Sequence, residues 1–207
     1  MGIIERKERE REEMRRLVLD AALRLFLENG FDKVSIRNIA DAIEYSPATI
    51  YLYFKDKNEL LFALHQQGFM KMVADFQPIL HLEKPFEKLM AMGQAYIRFA
   101  VENPELFDLM FIMTAPMDKL DTEQWVEGDQ AFGLLERVVT ECMDAGIFEK
   151  QSVQVVSMMI WSSIHGYTAL FLRKRLGMIP ECNRHQVMED AFSLFCDTLL
   201  RGLKPMA

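Results

Sequence analysis

Residues 35–54 read SIRNIADAIEYSPATIYLYF, and they decide the fold because they contain two helix starts separated by a tight turn. Ser35 has the side chain of a helix N-cap. Ser46 followed by Pro47 marks the second start, because proline at the first helical position needs no N–H group. The apolar residues of the first helix recur at helical spacing and predict one buried face: Ile36, Ile39, Ala40 and Ile43.

The second helix of this pair is expected to span residues 47–54, with Ile50 and Phe54 facing inward. A helix-turn-helix of this size can place its second helix in the major groove of DNA while the first helix braces it. The spacing alone is also typical of a small helical hairpin with tyrosines on its surface. The outer side and the following turn carry hydroxyl and ammonium groups suited to DNA contact: Ser46, Thr49, Tyr51, Tyr53, Lys55 and Lys57.

Helix signals continue on both sides of this segment, and no stretch alternates like a β-strand. The sequence therefore predicts an all-α protein of about nine helices. A first helix is expected from about Glu5 to Glu28, ended by Gly30 in a left-handed conformation, and Asp56 is expected to cap a long fourth helix. Each later helix has its own start signal: Pro85, Pro104, a capping box at residues 121–124, Ser152 and Asn183.

The charge and the cysteines narrow the class of protein. The formal net charge is −7, yet residues 1–60 carry 11 Lys/Arg against 12 Asp/Glu, so most of the acidity lies in the rest of the chain. An acidic total does not exclude DNA binding, which depends on where positive charges cluster. Cys142, Cys182 and Cys196 are widely spaced and form no C-x-x-C pair, which argues against a disulfide framework or a zinc ribbon and fits a reducing compartment.

Residues 151–172 contain no charged side chain, so this stretch has to be weighed as a membrane span. It includes Gln, Ser, His and Thr residues whose polar groups are costly in lipid. We therefore expect a buried helix of a soluble protein. The start MGIIERKEREREEMRR has no apolar core of signal-peptide length. The expected location is the cytoplasm, with no membrane partner.

A longer pattern surrounds the two helices, over residues 17–62. Its pieces lie at fixed spacing: Ala21-Ala22, Leu25-Phe26, Gly30-Phe31, Ile39-Ala40, Ser46, Thr49, Tyr51, Tyr53-Phe54, Lys57 and Leu60-Leu61. This pattern resembles the DNA-binding domain of the TetR family over the domain's whole length. Two positions depart from the family. Glu44 stands at the turn where glycine is usual, so we expect a positive φ at a cost of about 1 kcal/mol. Ala48 replaces a frequent glycine and adds a methyl group on the side that faces DNA.

The resemblance implies DNA contacts for the second helix and its surroundings. Thr49 and Tyr51 would meet base edges, Tyr51 at a thymine methyl group. Tyr51 as a packing residue and Lys55 as a solvated lysine are the alternatives. The members better placed for phosphates are these: Arg37, Ser46, Tyr53 and Lys57. The full expected DNA-binding set is Arg37, Ser46, Pro47, Ala48, Thr49, Tyr51, Tyr53, Lys55 and Lys57.

Two later pieces, residues 96–111 and 161–166, resemble the body of one TetR subclass, which has Trp, His and Gly in its penultimate helix. The resemblance implies small, often hydrophobic ligands between helices, and dimerisation through the last two helices. Gly166 is expected to permit close approach of a neighbouring helix. The same cluster also fits a plain core in which a neutral His165 bonds a carbonyl or hydroxyl. The expected ligand-binding set is Tyr96, Phe99, Phe107, Met110, Phe111, Met158, Trp161 and His165.

Together these features predict a DNA-binding domain over residues 10–70, with three helices, and a helical bundle for ligand binding and dimerisation over residues 71–207. We expect a homodimer that represses transcription from a near-palindromic double-stranded operator and is released by a small, mostly apolar effector. The alternatives are an effector-free DNA-binding protein and an interaction module that has lost DNA binding. An enzyme is disfavoured because the four histidines are scattered and no phosphate loop or G-x-S-x-G occurs. No catalytic residue, cofactor or metal is expected.

Overall fold

The computed structural model describes residues 2–113 and 126–204, and the regular secondary structure within these ranges is entirely helical. This confirms the predicted all-α class and the predicted number of helices. The capping box expected at residues 121–124 lies outside the described residues. The α-helices of the described part are α1 (Ile3–Asn29), α2 (Ile36–Ala42), α3 (Pro47–Tyr51), α4 (Lys57–Phe76), α5 (Pro85–Glu102), α6 (Pro104–Phe111), α7 (Val126–Asp144), α8 (Val153–Leu172) and α9 (Arg184–Gly202).

The described residues divide into two compact units. Unit 1 comprises residues 2–68 and 105–113, and therefore contains α1 to α3, the first part of α4 and nearly all of α6. Unit 2 comprises residues 69–104 and 126–204, with the end of α4 and the helices α5, α7, α8 and α9. The structural units thus differ from a simple division at residue 70, because α6 packs with the N-terminal helices. The functional domains remain predictions.

Unit 1 has an apolar core to which each of its helices contributes. Ile43, expected on the buried face of α2, is half-buried at the edge of this core. From α6, Leu109 joins the core across a long stretch of chain. Burying each such side chain stabilises the fold by about 1.5–3 kcal/mol. The buried members from the first three helices and the turn after them lie at helical spacing: Val18, Ala21, Ala22, Phe26, Ile36, Ile39, Ala40, Ile50 and Phe54.

Side-chain caps fix where α2, α3 and α4 begin. Ser35 Oγ accepts the N–H of Asn38 at 3.2 Å. Ser46 Oγ caps α3 in the same way at 3.2 Å, and Asp56 Oδ1 accepts the N–H of Glu59 at 2.8 Å. These contacts confirm the three predicted caps, each of which contributes about 1 kcal/mol.

The turn between α2 and α3 contains the strained residue that the sequence predicted. The N–H of Tyr45 donates to the carbonyl oxygen of Ala40 at 3.0 Å and closes the turn. Within it, Glu44 has a φ of 59°, in the left-handed region that favours glycine. The expected positive φ is confirmed, and a side chain in this region costs about 1 kcal/mol.

Two predictions about helix ends in unit 1 were wrong. The third helix ends at Tyr51 rather than at residue 54. Its last turn tightens, because the N–H groups of Tyr53 and Phe54 both donate to the carbonyl oxygen of Ile50, at 2.9 and 3.0 Å. Gly30 has the expected positive φ, 83°, but its ψ of 148° is extended rather than left-handed helical.

The start of α9 also differs from the prediction. α8 ends at Leu172, and the basic residues that follow it lie in a turn before α9. Asn183 makes no side-chain cap for α9. It is the last residue of a 3-10 turn, Glu181–Asn183, and its own backbone is already helical. An N-cap needs an extended backbone for its side chain to reach the next turn, so Asn183 cannot fill that role.

α5 joins the other helices of unit 2. Lys88 is buried and donates to Glu141 of α7 at 2.5 Å. At Gly93, an added Cβ would lie 2.8 Å from the ring of Phe192 on α9 and 3.1 Å from Ile164 on α8. Glycine is therefore needed there, because any larger side chain would push these helices apart.

α8 is less buried than the sequence predicted. It is long and apolar enough by length and composition to cross a membrane, and only 28% of its most apolar window is buried within the described chain. The expectation of a buried helix is therefore wrong for a single chain. Within one chain, an added Cβ at Gly166 would meet nothing within 4 Å. The close approach predicted for Gly166 is therefore wrong for a single chain, in which Gly93 makes such an approach instead.

Candidate nucleic-acid interface and sensing body

The third helix presents one side to the core of unit 1 and the other to solvent. Ile50 and Phe54 are fully buried, as predicted. The side chain of Tyr51 is 56% exposed, so the packing alternative for this residue does not hold in the structure. The other expected DNA-binding residues are exposed or half-buried: Arg37, Ser46, Pro47, Ala48, Thr49, Tyr53, Lys55 and Lys57.

The hydroxyl groups of Ser46 and Thr49 form a pair at the start of α3. Their oxygens lie 3.0 Å apart, and the Ser46 oxygen also accepts the backbone N–H of Thr49. Ser46 is therefore positioned by its capping contact. Its hydroxyl proton can still be donated outward, because an N-cap uses only a lone pair of the oxygen.

Lys57 has a structural environment that the sequence did not indicate. Its ammonium donates to the carbonyl oxygens of Phe31, at 2.7 Å, and Val34, at 3.0 Å. The Nζ atom also lies 4.0 Å from the centre of the Phe31 ring. Two of its three N–H groups are thus used within unit 1, so a phosphate contact would have only the third.

Arg15 was missed by sequence reasoning because it belongs to a charged stretch that is typical of a solvated helix. Its Nη1 donates to the carbonyl oxygen of Tyr53 at 2.9 Å. The guanidinium carbon lies 4.4 Å from the centre of the Phe54 ring. This side chain therefore holds the segment after α3 against α1. Leu52 was also missed, although its side chain is 74% exposed beside Tyr51.

Unit 2 contains an aromatic cluster with polar atoms at its centre, formed by Tyr96, Trp161 and His165. The Tyr96 hydroxyl lies 2.8 Å from His165 Nδ1, and Trp161 Nε1 donates to the same hydroxyl at 3.4 Å. Phe132 of α7, which sequence reasoning missed, contacts Trp161 edge to face with ring centres 6.0 Å apart. Burial lowers the pKa of His165, so its ring stays neutral near pH 7.

The expected ligand-binding residues are divided between the two units. Phe107 and Phe111 pack together in unit 1 with ring centres 5.2 Å apart, and Met110 of the same helix is buried. Phe99 is buried in unit 2, whereas Met158 is exposed on α8. Among the residues predicted for unit 2, Tyr96, Trp161 and His165 are the ones that hydrogen bonds and ring contacts join.

The thiol of Cys142 is a poor nucleophile. Cys142 is buried, and burial raises its pKa to about 12, so its thiol stays protonated near neutral pH. No group of three His, Cys, Asp or Glu side chains in residues 2–113 and 126–204 is arranged to hold a metal ion.

Two family models match the chain. Residues 18–64 match the model for bacterial regulatory proteins of the tetR family. Residues 89–192, half of the chain, match the model for the tetracyclin repressor-like C-terminal domain. The first match covers the helix-turn-helix segment, and the second covers most of unit 2.

Individual proteins agree with these models. A helix-turn-helix-type transcriptional repressor of Mycobacterium tuberculosis is 42% identical over 60 residues, which span 29% of this chain and 32% of that repressor. YobS, an uncharacterized regulator of the same type from Bacillus subtilis, is 19% identical over 188 residues, 91% of each protein. The fatty acid degradation regulator FadR from Bacillus halodurans has the same fold, with a TM-score of 0.73 at 18% identity over 90% of this chain and 94% of FadR. The chain therefore belongs to the TetR family of bacterial regulatory proteins and is a DNA-binding transcriptional regulator rather than an enzyme.

Proposed function

We propose that the protein represses transcription as a homodimer on a near-palindromic operator and is released by a small, mostly apolar effector. The observation that carries the proposal is the construction of α3. Ile50 and Phe54 anchor it in the core of unit 1, while Tyr51 extends into solvent. A helix that is anchored in a packed core holds its exposed side chains at fixed positions, and base recognition in the major groove requires such fixed positions. In the dimer, two such helices would enter successive major grooves about 34–36 Å apart.

On this proposal, Tyr51 and Thr49 read base edges, and the exposed groups around them bind phosphates. Arg37 at the start of α2 and Lys55 after α3 are both exposed and supply positive charge. Phosphate contacts fix the register of the protein on the duplex, while base contacts discriminate between sequences.

Replacing Tyr51 by Ala tests this assignment. The operator is first selected from a pool of random duplexes, and its affinity is then measured by fluorescence anisotropy. Tyr51→Ala should weaken operator binding about tenfold or more, the loss of one good base contact of about 1–3 kcal/mol. Tyr45→Ala is the matched control, because Tyr45 is 43% exposed in the preceding turn and is not in the predicted set. If both variants bind operator like the parent, α3 is not the reading helix.

The dimer is proposed to form through α8 and α9. Both helices leave apolar side chains exposed at helical spacing, three or four residues apart at the start of α8 and seven apart on α9. A face of this kind needs a second burial, and a two-fold contact between copies provides it. TetR-family regulators act as dimers, which fits this arrangement. The exposed apolar residues on these faces are Val155, Met158, Met159, Leu170, Val187 and Leu194.

Leu194→Asp tests the dimer, because it places a charge on the exposed face of α9. Met178→Asp is the control: Met178 is 79% exposed, against 68% for Leu194, but lies in the turn segment between α8 and α9. Sedimentation at micromolar concentration should show a dimer for the parent and the control and a monomer for Leu194→Asp. A parent that sediments as a folded monomer contradicts the proposed assembly.

The effector response is proposed to involve the Tyr96–Trp161–His165 cluster. An apolar wall with a single polar end suits a mostly apolar molecule with one polar group. A ligand acts only through its different affinity for the DNA-competent and incompetent states. Trp161→Ala should abolish release from the operator while costing less than the roughly 3–5 kcal/mol expected in a solid core. Severe unfolding of Trp161→Ala, with a normal response in His165→Gln, would favour the plain core.

The proposed location is the cytoplasm. The apolar helix α8 carries Ser157 and Thr168 buried within unit 2, and its exposed face is assigned above to the dimer rather than to lipid. Expression of the protein followed by separation of membranes from the soluble fraction checks this directly. Recovery in the membrane fraction would contradict the assignment.

A further inference from the structure

A groove of about 600 Å³ opens between α5, α8 and α9 of unit 2, and no member of the Tyr96–Trp161–His165 cluster lines it. Its volume lies within the range of about 300–1,000 Å³ that small-molecule sites have. Two methionines give it adaptable walls. The apolar part of the lining comprises Met90, Ile97, Val101, Phe171, Met188 and Phe192.

Tyr167 supplies an unused hydrogen bond at this groove. The residue lines the groove, and its hydroxyl oxygen is buried without a hydrogen-bond partner in the described part of the chain. A buried hydroxyl without a partner is unfavourable, and a bound acceptor would relieve that penalty. Burial also raises the pKa of Tyr167, so the phenol keeps its proton and acts as a donor. Turning it toward a ligand costs no existing hydrogen bond.

The charges around the groove favour a neutral ligand. Arg98 brings one positive charge, whereas Glu189 and Asp197 bring two negative charges. His185 also lines the groove, where its ring contacts Phe171 edge to face at 5.3 Å. An anion would meet two carboxylates and a cation would meet the guanidinium, so neither sign is matched by the lining as a whole.

The apolar base of the groove lies on the opposite side of α9 from the proposed dimer face. At about 100° per residue, Met188, Phe192 and Cys196 point to one side of the helix, and Val187 and Leu194 point to the other. Asp197, which also lines the groove, lies three residues after Leu194 and therefore nearer to the dimer face. Pairing of two copies through the exposed face would therefore leave the apolar base of the groove uncovered.

We propose that this groove binds a neutral, mostly apolar molecule that has one hydrogen-bond acceptor, such as a ketone, and that this acceptor takes the proton of the Tyr167 hydroxyl in a hydrogen bond. The site is separate from the aromatic cluster. Binding of a ligand at this site does not depend on the function proposed above. The effect of that ligand on DNA binding does rest on the proposed function.

The test is isothermal titration of the full chain with 2-decanone, decanoate and decyltrimethylammonium, which share a chain length and differ in charge. The ketone should bind, and the two ions should bind more weakly. Tyr167→Phe should weaken the ketone about tenfold, which corresponds to about 1.4 kcal/mol. Tyr45→Phe removes a hydroxyl outside the groove and should bind the ketone like the parent. Ser193→Trp fills the groove from α9 and should abolish binding, with the helical circular dichroism unchanged.

Three results would overturn the proposal: no binding of the ketone, tighter binding of either ion, or equal ketone binding by the parent, Tyr167→Phe and Ser193→Trp. Operator affinity is measured in parallel by anisotropy, with and without 2-decanone. Ketone binding together with a failure to bind any selected duplex contradicts the proposed function and leaves the site established. Ketone binding that leaves operator affinity unchanged also supports the site and removes it from the release mechanism.

Discussion

Replacing Lys57 by Met tests whether this side chain stabilises the helix-turn-helix segment or serves DNA. Its ammonium contacts the carbonyl oxygens of Phe31 and Val34 at 2.7 and 3.0 Å, and the ring of Phe31 at 4.0 Å. These contacts tie the start of α4 to the segment between α1 and α2. We expect Lys57→Met to lower the free energy of unfolding by about 2–3 kcal/mol.

The magnitude follows from the contacts that are lost. A hydrogen bond from a charged donor contributes about 1.5–3 kcal/mol, and a cation–π contact at an accessible site about 0.5–1 kcal/mol. Lys57 is half-buried, so water can partly replace the lysine at both carbonyl oxygens. The two hydrogen bonds together are therefore assigned the lower part of the range for one charged hydrogen bond. With a urea dependence of about 2 kcal/mol per molar, the midpoint should fall by about 1–1.5 M.

Lys55→Met is the matched control, because Lys55 is exposed two residues earlier and should change stability by less than about 0.5 kcal/mol. Urea unfolding followed by circular dichroism compares the two. The alternative role of Lys57 is a phosphate contact. Loss of that contact would reduce the slope of log affinity for the operator against log salt concentration by about 0.9. Equal urea midpoints for both variants, with a reduced salt slope only in Lys57→Met, would refute the stabilising role.

Three further predictions concern separate features of the structure. His165→Gln should flatten the pH dependence of melting: the folded state lowers the pKa of His165, so the parent loses stability as pH falls below about 6.5, where the unfolded histidine gains a proton. Lys88→Met should cost about 1–2 kcal/mol in urea unfolding, because it leaves Glu141 without its buried partner, and adding Glu141→Leu should restore part of the loss. Gly68→Ala would place a Cβ 2.4 Å from a methionine sulfur of α6 and should lower the melting temperature, whereas Gly133→Ala, with nothing within 4 Å, should raise it.

The features that the sequence predicted well are local ones. Ser35, Ser46 and Asp56 cap helices through contacts three residues away, so their neighbours in the chain decide the outcome. The inward direction of Ile50 and Phe54 follows from helical spacing in the same way. The positive φ of Glu44 was predicted through the resemblance, because the family usually has glycine at this position of the turn.

The features that were missed depend on contacts between distant residues. Arg15 reaches Tyr53 across 38 positions, and Tyr96 reaches His165 across 69, so no spacing rule connects them. Glycine at position 93 is required by side chains from two later helices, whereas Gly166, which looked similar in the sequence, meets nothing. Two glycines inside helices therefore have different roles, and the neighbours that the fold places beside each of them decide which role it has.

The exposure of α8 was mispredicted for a different reason. Its apolar composition predicts burial, but composition does not state which molecule supplies it. Within one chain the surfaces of Val155, Met158 and Met159 remain accessible. A sequence analysed as a single chain assigns every apolar residue to its own core, and this assumption fails for α8, whether or not the proposed pairing with a second copy covers it.

Glu44 has a consequence for how the protein can change through mutation. Either glutamate codon becomes a glycine codon by one base change, and glycine would remove the left-handed strain of this residue. The expected gain reaches about 1 kcal/mol, reduced in part by the greater freedom of glycine in the unfolded chain. The added stability lies in the turn that joins α2 to α3, so it acts on the bracing of the helix proposed to read DNA. A library of single-base variants screened for DNA binding after heating should return Glu44→Gly repeatedly.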